Sequence, residues 1–281
     1  MVDSLNSDLR LAHMLADAAD SITMNRFNSR DLDVSLKSDQ TVVSDADKQT
    51  EEVIRRKLAT VRSRDSFHGE ETGDSGWGPR CWVVDPIDGT ANYVRGVPVW
   101  ATLIGLMIEG FPVVSVVSAP GLSRRWWASQ GGGAHTGKSL LKSRPIEVSS
   151  VNSLAESLLS YSSLNEWVES GRGRQFGLLL RKAGRTRGFG DFWSYMLVAE
   201  GSVDIACEPE LALHDMAALL PIVSEAGGRF TSIDGDPGVG GPGALATNSL
   251  LHKQVLDLLR ADEEPKGEDS LIIPRHAYTE D

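Results

Sequence analysis

The chain has 281 residues, of which 41% are hydrophobic and 24% charged, and its formal net charge is -11. This balance is typical of a globular protein with a sizeable core, and the negative charge disfavours nucleic acid and anionic membranes as partners, because both require clustered lysine and arginine. Two distant cysteines, Cys81 and Cys207, argue against a disulfide framework or a thiolate zinc site. No signal-peptide pattern is seen, and no apolar stretch approaches the roughly 20 residues that span a bilayer, so we expect a cytoplasmic protein.

The first part of the chain is predicted to form two helices and then antiparallel strands. Apolar residues at helical spacing predict a helix over 3–27 and a second over 45–59, for which Ser44 is the expected N-cap. A polar hairpin or loop is expected over 37–43, and the glycine-rich residues 62–80 are expected to be a loop. Apolar runs separated by turn residues predict strands over 99–108, 113–119 and 126–128.

After residue 145 the pattern changes to strands and helices in alternation. Predicted strands cover 158–161, 203–207, 229–233 and 244–247, and predicted helices cover 175–183, 191–200, 214–226 and 250–259. We therefore expect a layered α/β or α+β fold with mixed and antiparallel sheets. Its halves would be 1–145, which carries the acidic motifs, and 146–260; the charged tail 261–281 is expected to be disordered.

One stretch organises the functional interpretation. An apolar run from Trp82 ends in two carboxylates three positions apart, in the sequence Asp85-Pro86-Ile87-Asp88-Gly89-Thr90. The proline excludes a regular helix across the motif, so a turn at a strand end can direct both carboxylates and the Ile87 carbonyl to one Mg²⁺ ion. Thr90 can then open a helix whose free N–H groups bind phosphate. The alternative is an Asx turn with two capping aspartates, but the apolar strand and the Gly-Thr step favour the metal.

The motif resembles the signature of the inositol monophosphatase superfamily of Mg²⁺-dependent phosphatases. Gly69-Glu70-Glu71, the block from His214 to Ala218 and residues 225–228 extend the resemblance, which covers residues 5–260 in the expected order. It implies an αβαβα layered sandwich, a small phosphate monoester as substrate, two or more Mg²⁺ ions in each active site, and a homodimer.

The resemblance also implies a set of metal ligands: Glu70, Asp85, the carbonyl of Ile87, Asp88 and Asp215. For Asp215 the other interpretation is an aspartate at a helix N-terminus that is favoured by the helix dipole, and both roles are compatible. The chain has His214 where family members usually have tryptophan. Bound cations also explain how a chain of charge -11 attracts a dianionic substrate.

By resemblance, Thr90 and Asp45 form the pair that orients and deprotonates the attacking water, and Glu70 contributes to catalysis as the carboxylate that bridges the metals. Two metal ions can clamp the attacking and leaving oxygens of an in-line displacement. From the sequence alone, Asp45 is as well explained as a cap of the second helix.

The substrate is predicted to contact the turn residues Ile87, Asp88, Gly89 and Thr90, together with Arg187, Asp191, Glu208 and Asp215. Arg187 is equally well explained as a surface arginine of a strand, and Asp191 as a helix cap. A carboxylate at position 191 suggests a cationic substrate group.

Residues 95–100, 124–128 and 190–192 are similar to the actinobacterial histidinol-phosphate phosphatase branch of the family. The predicted reaction is hydrolysis of L-histidinol phosphate to L-histidinol and phosphate; inositol 1-phosphate and 3′-phosphoadenosine 5′-phosphate are the alternative substrates.

Overall fold

The structure, a computed structural model, describes residues 2–37 and 41–261. Apart from Ala261, the tail predicted over 261–281 lies outside the described residues, and so do residues 38–40 of the predicted 37–43 loop.

Two helices and a small hairpin begin the chain. Helix α1 (Val2–Arg26) is followed by strands β1 (Val34–Leu36) and β2 (Val42–Ser44), which pair antiparallel, and then by α2 (Asp45–Val61). Ser44 is the N-cap of α2, as predicted: its hydroxyl accepts a hydrogen bond from the Ala46 N–H, while the Asp47 carboxylate accepts one from the Ser44 N–H at 2.8 Å. This reciprocal capping box fixes where α2 begins.

An eight-stranded sheet follows, interrupted by the short helix α3 (Thr90–Val94). Its strands are β3 (Ser66–Gly69), β4 (Gly73–Ser75), β5 (Arg80–Asp88), β6 (Ala101–Ile108), β7 (Phe111–Ala119), β8 (Arg124–Ser129), β9 (Ala134–Ser139) and β10 (Lys142–Pro145). The spatial order is β10-β9-β8-β7-β6-β5-β3-β4, and all neighbours pair antiparallel except β3 and β5.

The loop predicted over 62–80 is wrong in part, because β3 and β4 lie within it. The β4 sequence, Gly73-Asp74-Ser75, has low intrinsic strand propensity. Its backbone is strand because it pairs with β3, which itself lies parallel to β5. These strands depend on neighbours distant in sequence, and local periodicity does not report such neighbours.

A five-stranded mixed sheet and five helices complete the fold. The strands are β11 (Leu158–Ser160), β12 (Arg185–Arg187), β13 (Ile205–Glu208), β14 (Arg229–Thr231) and β15 (Ala244–Thr247), in the order β12-β11-β13-β15-β14. The helices are α4 (Leu164–Glu169), α5 (Gly173–Lys182), α6 (Asp191–Ala199), α7 (Leu213–Glu225) and α8 (His252–Leu259). The short elements β9, β10, β12 and α4 were not predicted.

Three buried clusters define the layers. Helices α1 and α2 cover one face of the eight-stranded sheet, where Leu15 and Ile54 pack with Trp82. On its other face α6 and α7 lie between the two sheets, and Leu219 belongs to the cluster that joins Trp126 to the five-stranded sheet.

The third cluster covers the far side of the five-stranded sheet, where Leu179 of α5 and Val255 of α8 pack with Ile205. The order of layers is therefore α, β, α, β, α, and the predicted αβαβα sandwich is confirmed. No helix in the described parts of the chain combines the length and apolar character needed to cross a bilayer.

Candidate active site

Strand β5 ends at two aspartates. Asp85 is 2% exposed, and the pairing of β5 with β6 changes register between Asp85 and Asp88, where Pro86 cannot donate a ladder hydrogen bond. The Asp85 Oδ1 atom accepts a hydrogen bond from the Ile87 N–H at 2.9 Å. The Asx turn that was the alternative interpretation is therefore present, and it holds the carboxylate in one orientation.

A third carboxylate comes from the first turn of α7. Oxygen atoms of Asp85, Asp88 and Asp215 all lie within 4.8 Å of one another. Asp215 also accepts a hydrogen bond from the Ala212 N–H at 2.8 Å, so it stabilises the start of its helix as well. The helix-start interpretation of Asp215 is confirmed, and the same helix start places its carboxylate beside β5, as a metal ligand would require.

Glu70 follows β3, and its charge contributes to raising the pKa of Asp85, so its carboxylate belongs to the same cluster. Lys37 reaches the same place: its Nζ atom is 2.6 Å from Glu70 Oε1 and 2.7 Å from Glu71 Oε1. Lys37 is not among the predicted site residues.

Electrostatics at this cluster are unfavourable for the carboxylates alone. Burial, followed by the charges of Glu70, Asp88 and Asp215, raises the pKa of Asp85 well above its usual value. Burial and the charges of Asp191 and Asp215 do the same to the pKa of Asp88. Buried like charges at this spacing are relieved by protonation or by a bound cation, and a cation allows all of the carboxylates to stay ionised.

The donor chemistry fits a hard divalent cation. All candidate ligands are carboxylate or carbonyl oxygens, which magnesium prefers over nitrogen and sulfur ligands. The Ile87 carbonyl accepts a hydrogen bond from Thr90 Oγ1 at 2.9 Å, which places it at the same turn. The residues present therefore fit the implied metal.

The predicted pairing of Thr90 with Asp45 is wrong, because the Thr90 hydroxyl is hydrogen-bonded to Asp47 Oδ1 at 3.1 Å. Asp47 is fully buried, and that burial raises its pKa. The Asp45 carboxylate is bound by Arg26 at 2.8 Å and by Gln49 at 2.9 Å.

The geometry of α2 explains the difference. Successive helical residues are rotated by about 100°, so side chains two positions apart point in widely different directions. The capping box turns Asp47 towards Ser44 and Thr90, and Asp45 therefore faces Arg26. The spacing of Ser44 and Asp47 in the sequence is the signal that would have identified Asp47.

Helix α6 begins beside β5 and brings Asp191 to the cluster. The Phe192 N–H donates to Asp88 Oδ2 at 2.7 Å, and Asn92 Nδ2 donates to Asp191 Oδ2 at 3.0 Å. No side-chain capping hydrogen bond is made at the start of α6, so the interpretation of Asp191 as a helix cap is not supported. A Cβ atom on Gly89 would lie 3.0 Å from Asp191 Oδ2, which explains why glycine is needed there.

Glu208, at the end of β13, is joined to Asp191 through Ser162. The Ser162 hydroxyl accepts a hydrogen bond from the Asp191 N–H at 2.7 Å and donates to Glu208 Oε1 at 2.9 Å. Burial raises the pKa of Asp191 to about 6 and that of Glu208 well above its usual value. We call Asp191, Glu208, Ser162 and Asn92 the acidic shelf.

Arg187 and His214 take positions that the sequence left open. Arg187 is exposed, and its guanidinium donates to the carbonyl of Thr186 at 2.7 Å. Within the described residues it makes no ion pair with the cluster, so the surface interpretation describes it better. His214 lies 3.9 Å from Asp215 Oδ1, and its ring is stacked near that of His68.

Residues 5–264 match the sequence model of the inositol monophosphatase family. The chain belongs to the inositol monophosphatase family. One similar relative is the histidinol-phosphatase of Streptomyces coelicolor, which is 57% identical over 256 residues that cover 90% of this chain and 96% of the relative. Another is the histidinol-phosphatase of Mycobacterium tuberculosis, which is 50% identical over 257 residues that cover 91% of this chain and 99% of the relative.

Solved structures of family members agree with the layered fold. An inositol monophosphatase from Zymomonas mobilis superposes with a TM-score of 0.79 at 28% identity, covering 91% of this chain and 98% of that one. The extragenic suppressor protein SuhB from Bartonella henselae gives a TM-score of 0.83 at 25% identity, with 92% and 100% covered.

Four site residues of this inositol monophosphatase family member were missed by sequence reasoning: Lys37, Asp47, Asn92 and Ser162. Asn92 and Ser162 are neutral polar residues without a motif of their own, and they acquire their roles from carboxylates 99 and 46 positions away. Lys37 lies at the start of a predicted loop, where lysine side chains are usually solvated, so its sequence position does not indicate a site residue. The one sequence signal for Ser162 is its position directly after the predicted strand 158–161. Glu208 has the same relation to the predicted strand 203–207.

Proposed function

We propose that this chain is a Mg²⁺-dependent phosphomonoesterase that hydrolyses L-histidinol phosphate to L-histidinol and phosphate. The observation that carries the proposal is the adjacency of two acidic groups of side chains. The carboxylate cluster is suited to metal-assisted phosphate chemistry, and the acidic shelf beside it is suited to a cationic leaving group. The two relatives named histidinol-phosphatase, at 57% and 50% identity, support this substrate.

Glu70, Asp85, Asp88, Asp215 and the Ile87 carbonyl would hold the magnesium. When bound, the ions polarise the phosphoryl group and lower the pKa of a bound water. The protein holds these oxygen ligands in place through three elements. The turn at the end of β5 orients Asp85, the start of α7 orients Asp215, and the end of β3 places Glu70.

Thr90 and Asp47 are the proposed proton-handling pair. A water that donates to Thr90 Oγ1 is oriented for attack, and Asp47 Oδ1 receives the proton that the hydroxyl passes on. The burial that raises the pKa of Asp47 makes it a stronger base than an exposed aspartate. Glu70, beside the same cluster, would help to hold that water.

The acidic shelf would recognise the alcohol part of the substrate. Histidinol phosphate carries an amine and an imidazole, and a cation bound between Asp191 and Glu208 relieves the repulsion of two buried carboxylates. A neutral inositol ring would leave this negative charge uncompensated. The shelf therefore favours histidinol phosphate over inositol 1-phosphate. The contacts of Gly89 and Arg187 with the phosphate stay predictions.

Phosphate release with Mg²⁺ from histidinol phosphate, inositol 1-phosphate and 3′-phosphoadenosine 5′-phosphate tests the assignment. We expect the highest kcat/KM for histidinol phosphate; a preference for either other ester would overturn it. Glu208→Gln and Asp191→Asn should then reduce kcat/KM more for histidinol phosphate than for β-glycerophosphate, whose alcohol part is uncharged. Equal losses on both substrates would contradict a role of the shelf in specificity.

We also propose that the chain acts as a cytoplasmic homodimer, as the family resemblance implies. Sedimentation velocity on the purified chain tests the dimer, and a monomer at micromolar concentration would contradict it.

The division into halves 1–145 and 146–260 likewise stays a proposal, which limited proteolysis near residue 145 would test.

A further inference from the structure

A cavity of about 500 Å³ lies away from the catalytic carboxylates. It is lined by Ser123, Arg124, Arg125, Thr136, Gly137, Lys138, Lys142, Ser143 and Arg144. Five of these residues are basic and none is acidic, in a chain whose net charge is -11. The lining comes from β8, β9 and β10 and the residue before β8, and β7 and β6 separate these strands from β5.

Two of the arginines are held in place by the fold. The Arg125 guanidinium lies 2.8 Å from Asp17 and 2.6 Å from Asp20, and the residue is 9% exposed. Arg124 is paired with Glu200 and lies 4.9 Å above the ring of Trp126. These contacts use most of the Arg125 N–H donors, with Ser118 accepting from Nε, so the two arginines form an ordered wall of the cavity. The donors offered to a ligand come mainly from the exposed cations of the neighbouring hairpin.

The other three cations extend from the β9–β10 hairpin and are exposed. Lys138 and Lys142 have no acidic partner within residues 2–37 and 41–261. Arg144 lies only 3.8 Å from Glu200, which Arg124 already engages. The positive charge of the hairpin is therefore largely uncompensated, and a concave surface concentrates its field.

Hydroxyl groups complete the lining. Ser123, Thr136 and Ser143 lie among the cations, and the Thr136 hydroxyl donates to the carbonyl of Arg125 at 2.9 Å. Guanidinium, ammonium and hydroxyl donors on several strands suit a phosphorylated ligand, whose tetrahedral oxygens accept from many directions. The cavity volume falls within the range of about 300–1,000 Å³ that is usual for small-molecule sites.

We propose that this cavity is a second anion site, which binds a small, multiply phosphorylated molecule independently of the catalytic centre. A nucleic acid is disfavoured because its backbone would extend onto the rest of a negatively charged surface. A small ligand would contact only the basic lining of the cavity and would avoid the negatively charged surface around it.

Calorimetric titration of inorganic tripolyphosphate into the full chain tests the proposal. EDTA is included, so that the active site presents only carboxylates and repels the probe. We expect saturable binding to one site per chain. We expect the triple variant Lys138→Gln, Lys142→Gln, Arg144→Gln to bind at least about tenfold more weakly, the effect of losing about 1.4 kcal/mol.

The matched control replaces three exposed cations elsewhere, Lys57→Gln, Arg64→Gln and Lys182→Gln, and changes the net charge equally. It should keep the affinity of the unsubstituted chain. Equal weakening in both triple variants, no saturable binding, or equally tight binding of citrate would overturn the proposal. Circular dichroism melting confirms that both variants are folded before titration.

Discussion

Asp45 and Asp47 lie two residues apart at the start of α2, yet their carboxylates have different partners. Arg26 neutralises Asp45, whereas Asp47 is fully buried between Ser44 and Thr90. We expect Asp47→Asn to lower kcat by about 10²-fold or more, the usual contribution of a positioned base. Steady-state phosphate release measures it.

Asp45→Asn is the matched control, because it makes the same chemical change on a different face of the same helix. It should leave kcat near that of the unsubstituted chain. A larger loss from Asp45→Asn than from Asp47→Asn would contradict the assignment of the pair to Thr90 and Asp47.

Ser162 is uncharged and links the backbone N–H of Asp191 to the carboxylate of Glu208 in the acidic shelf. Ser162→Ala should raise KM for histidinol phosphate by about tenfold, the value of one hydrogen bond to a charged group, and should change KM for β-glycerophosphate much less. The exposed Ser63→Ala is the control. Equal KM changes on both substrates would assign Ser162 a purely structural role.

Residues in contiguous motifs were predictable, and residues that act through tertiary contacts were not. Asp85 and Asp88 are recognisable because a strand and a turn place them together. Asp47 was missed because the choice between two nearby aspartates depends on helix rotation. Asn92 and Ser162 have ordinary polar side chains whose partners are fixed only when α6 meets β5.

At the level of elements, the packing of β6 against α7 depends on one glycine. A Cβ atom on Gly105 would lie 2.9 Å from the carbonyl oxygen of Ala217, closer than side chains tolerate. Gly105→Ala should therefore destabilise the fold by about 1–3 kcal/mol, as overpacked cores do. Chemical denaturation measures it.

Gly177, inside α5, gives the opposite expectation. A Cβ atom added at Gly177 would meet open space: apart from the backbone of its own helix and its two chain neighbours, no heavy atom lies within 4 Å. The φ angle of Gly177 is not positive, so alanine fits the backbone without strain. Gly177→Ala should stabilise the fold by about 0.5–1 kcal/mol through helix propensity. A stabilising Gly105→Ala would contradict the packing of β6 against α7, and a strongly destabilising Gly177→Ala would contradict the open surroundings of Gly177 in α5.

His252 connects α8 to the five-stranded sheet. Its ring nitrogens contact the hydroxyls of Thr231 and Thr247 at 3.1 and 3.0 Å, and burial lowers its pKa to about 4. In the unfolded chain the pKa returns to about 6.5. The stability that comes from the neutral ring is therefore fully present above pH 6.5 and is lost as the pH falls towards 4.

We expect His252→Gln to take up fewer protons on unfolding between pH 6.5 and 4 than the unsubstituted chain. The slope of unfolding free energy against pH, from urea titrations, measures this uptake. An unchanged slope would show that His252 does not contribute to acid sensitivity.

Elements with many buried residues were predicted within a few positions. The strands β6 and β7 are continuous apolar runs because both of their faces are buried. The helices α1, α2 and α7 have apolar residues at helical spacing because each packs against a sheet. The short strands β4 and β12 have three residues each, too few for a pattern, and they are strands because a neighbour offers hydrogen bonds.

At the scale of the whole molecule, the carboxylate cluster couples metal binding to stability. Mg²⁺ should raise the melting temperature, since one site stabilises by about 2.7 kcal/mol at 100 times its Kd. Asp215→Asn removes one of three converging charges. It should raise the melting temperature without metal and abolish most of the Mg²⁺ shift. Scanning calorimetry with EDTA or Mg²⁺ measures both, and a retained shift would contradict ligation by Asp215.

The shared middle layer limits how the molecule can move during turnover. Helices α6 and α7 pack on both sheets at once, and they also supply Asp191, Asp215 and the N–H that binds Asp88. A hinge opening near residue 145 would expose that apolar layer to water and separate the carboxylates from each other. Substrate entry and product release are therefore expected to require rearrangement of loops only, and the catalytic geometry persists from one reaction cycle to the next.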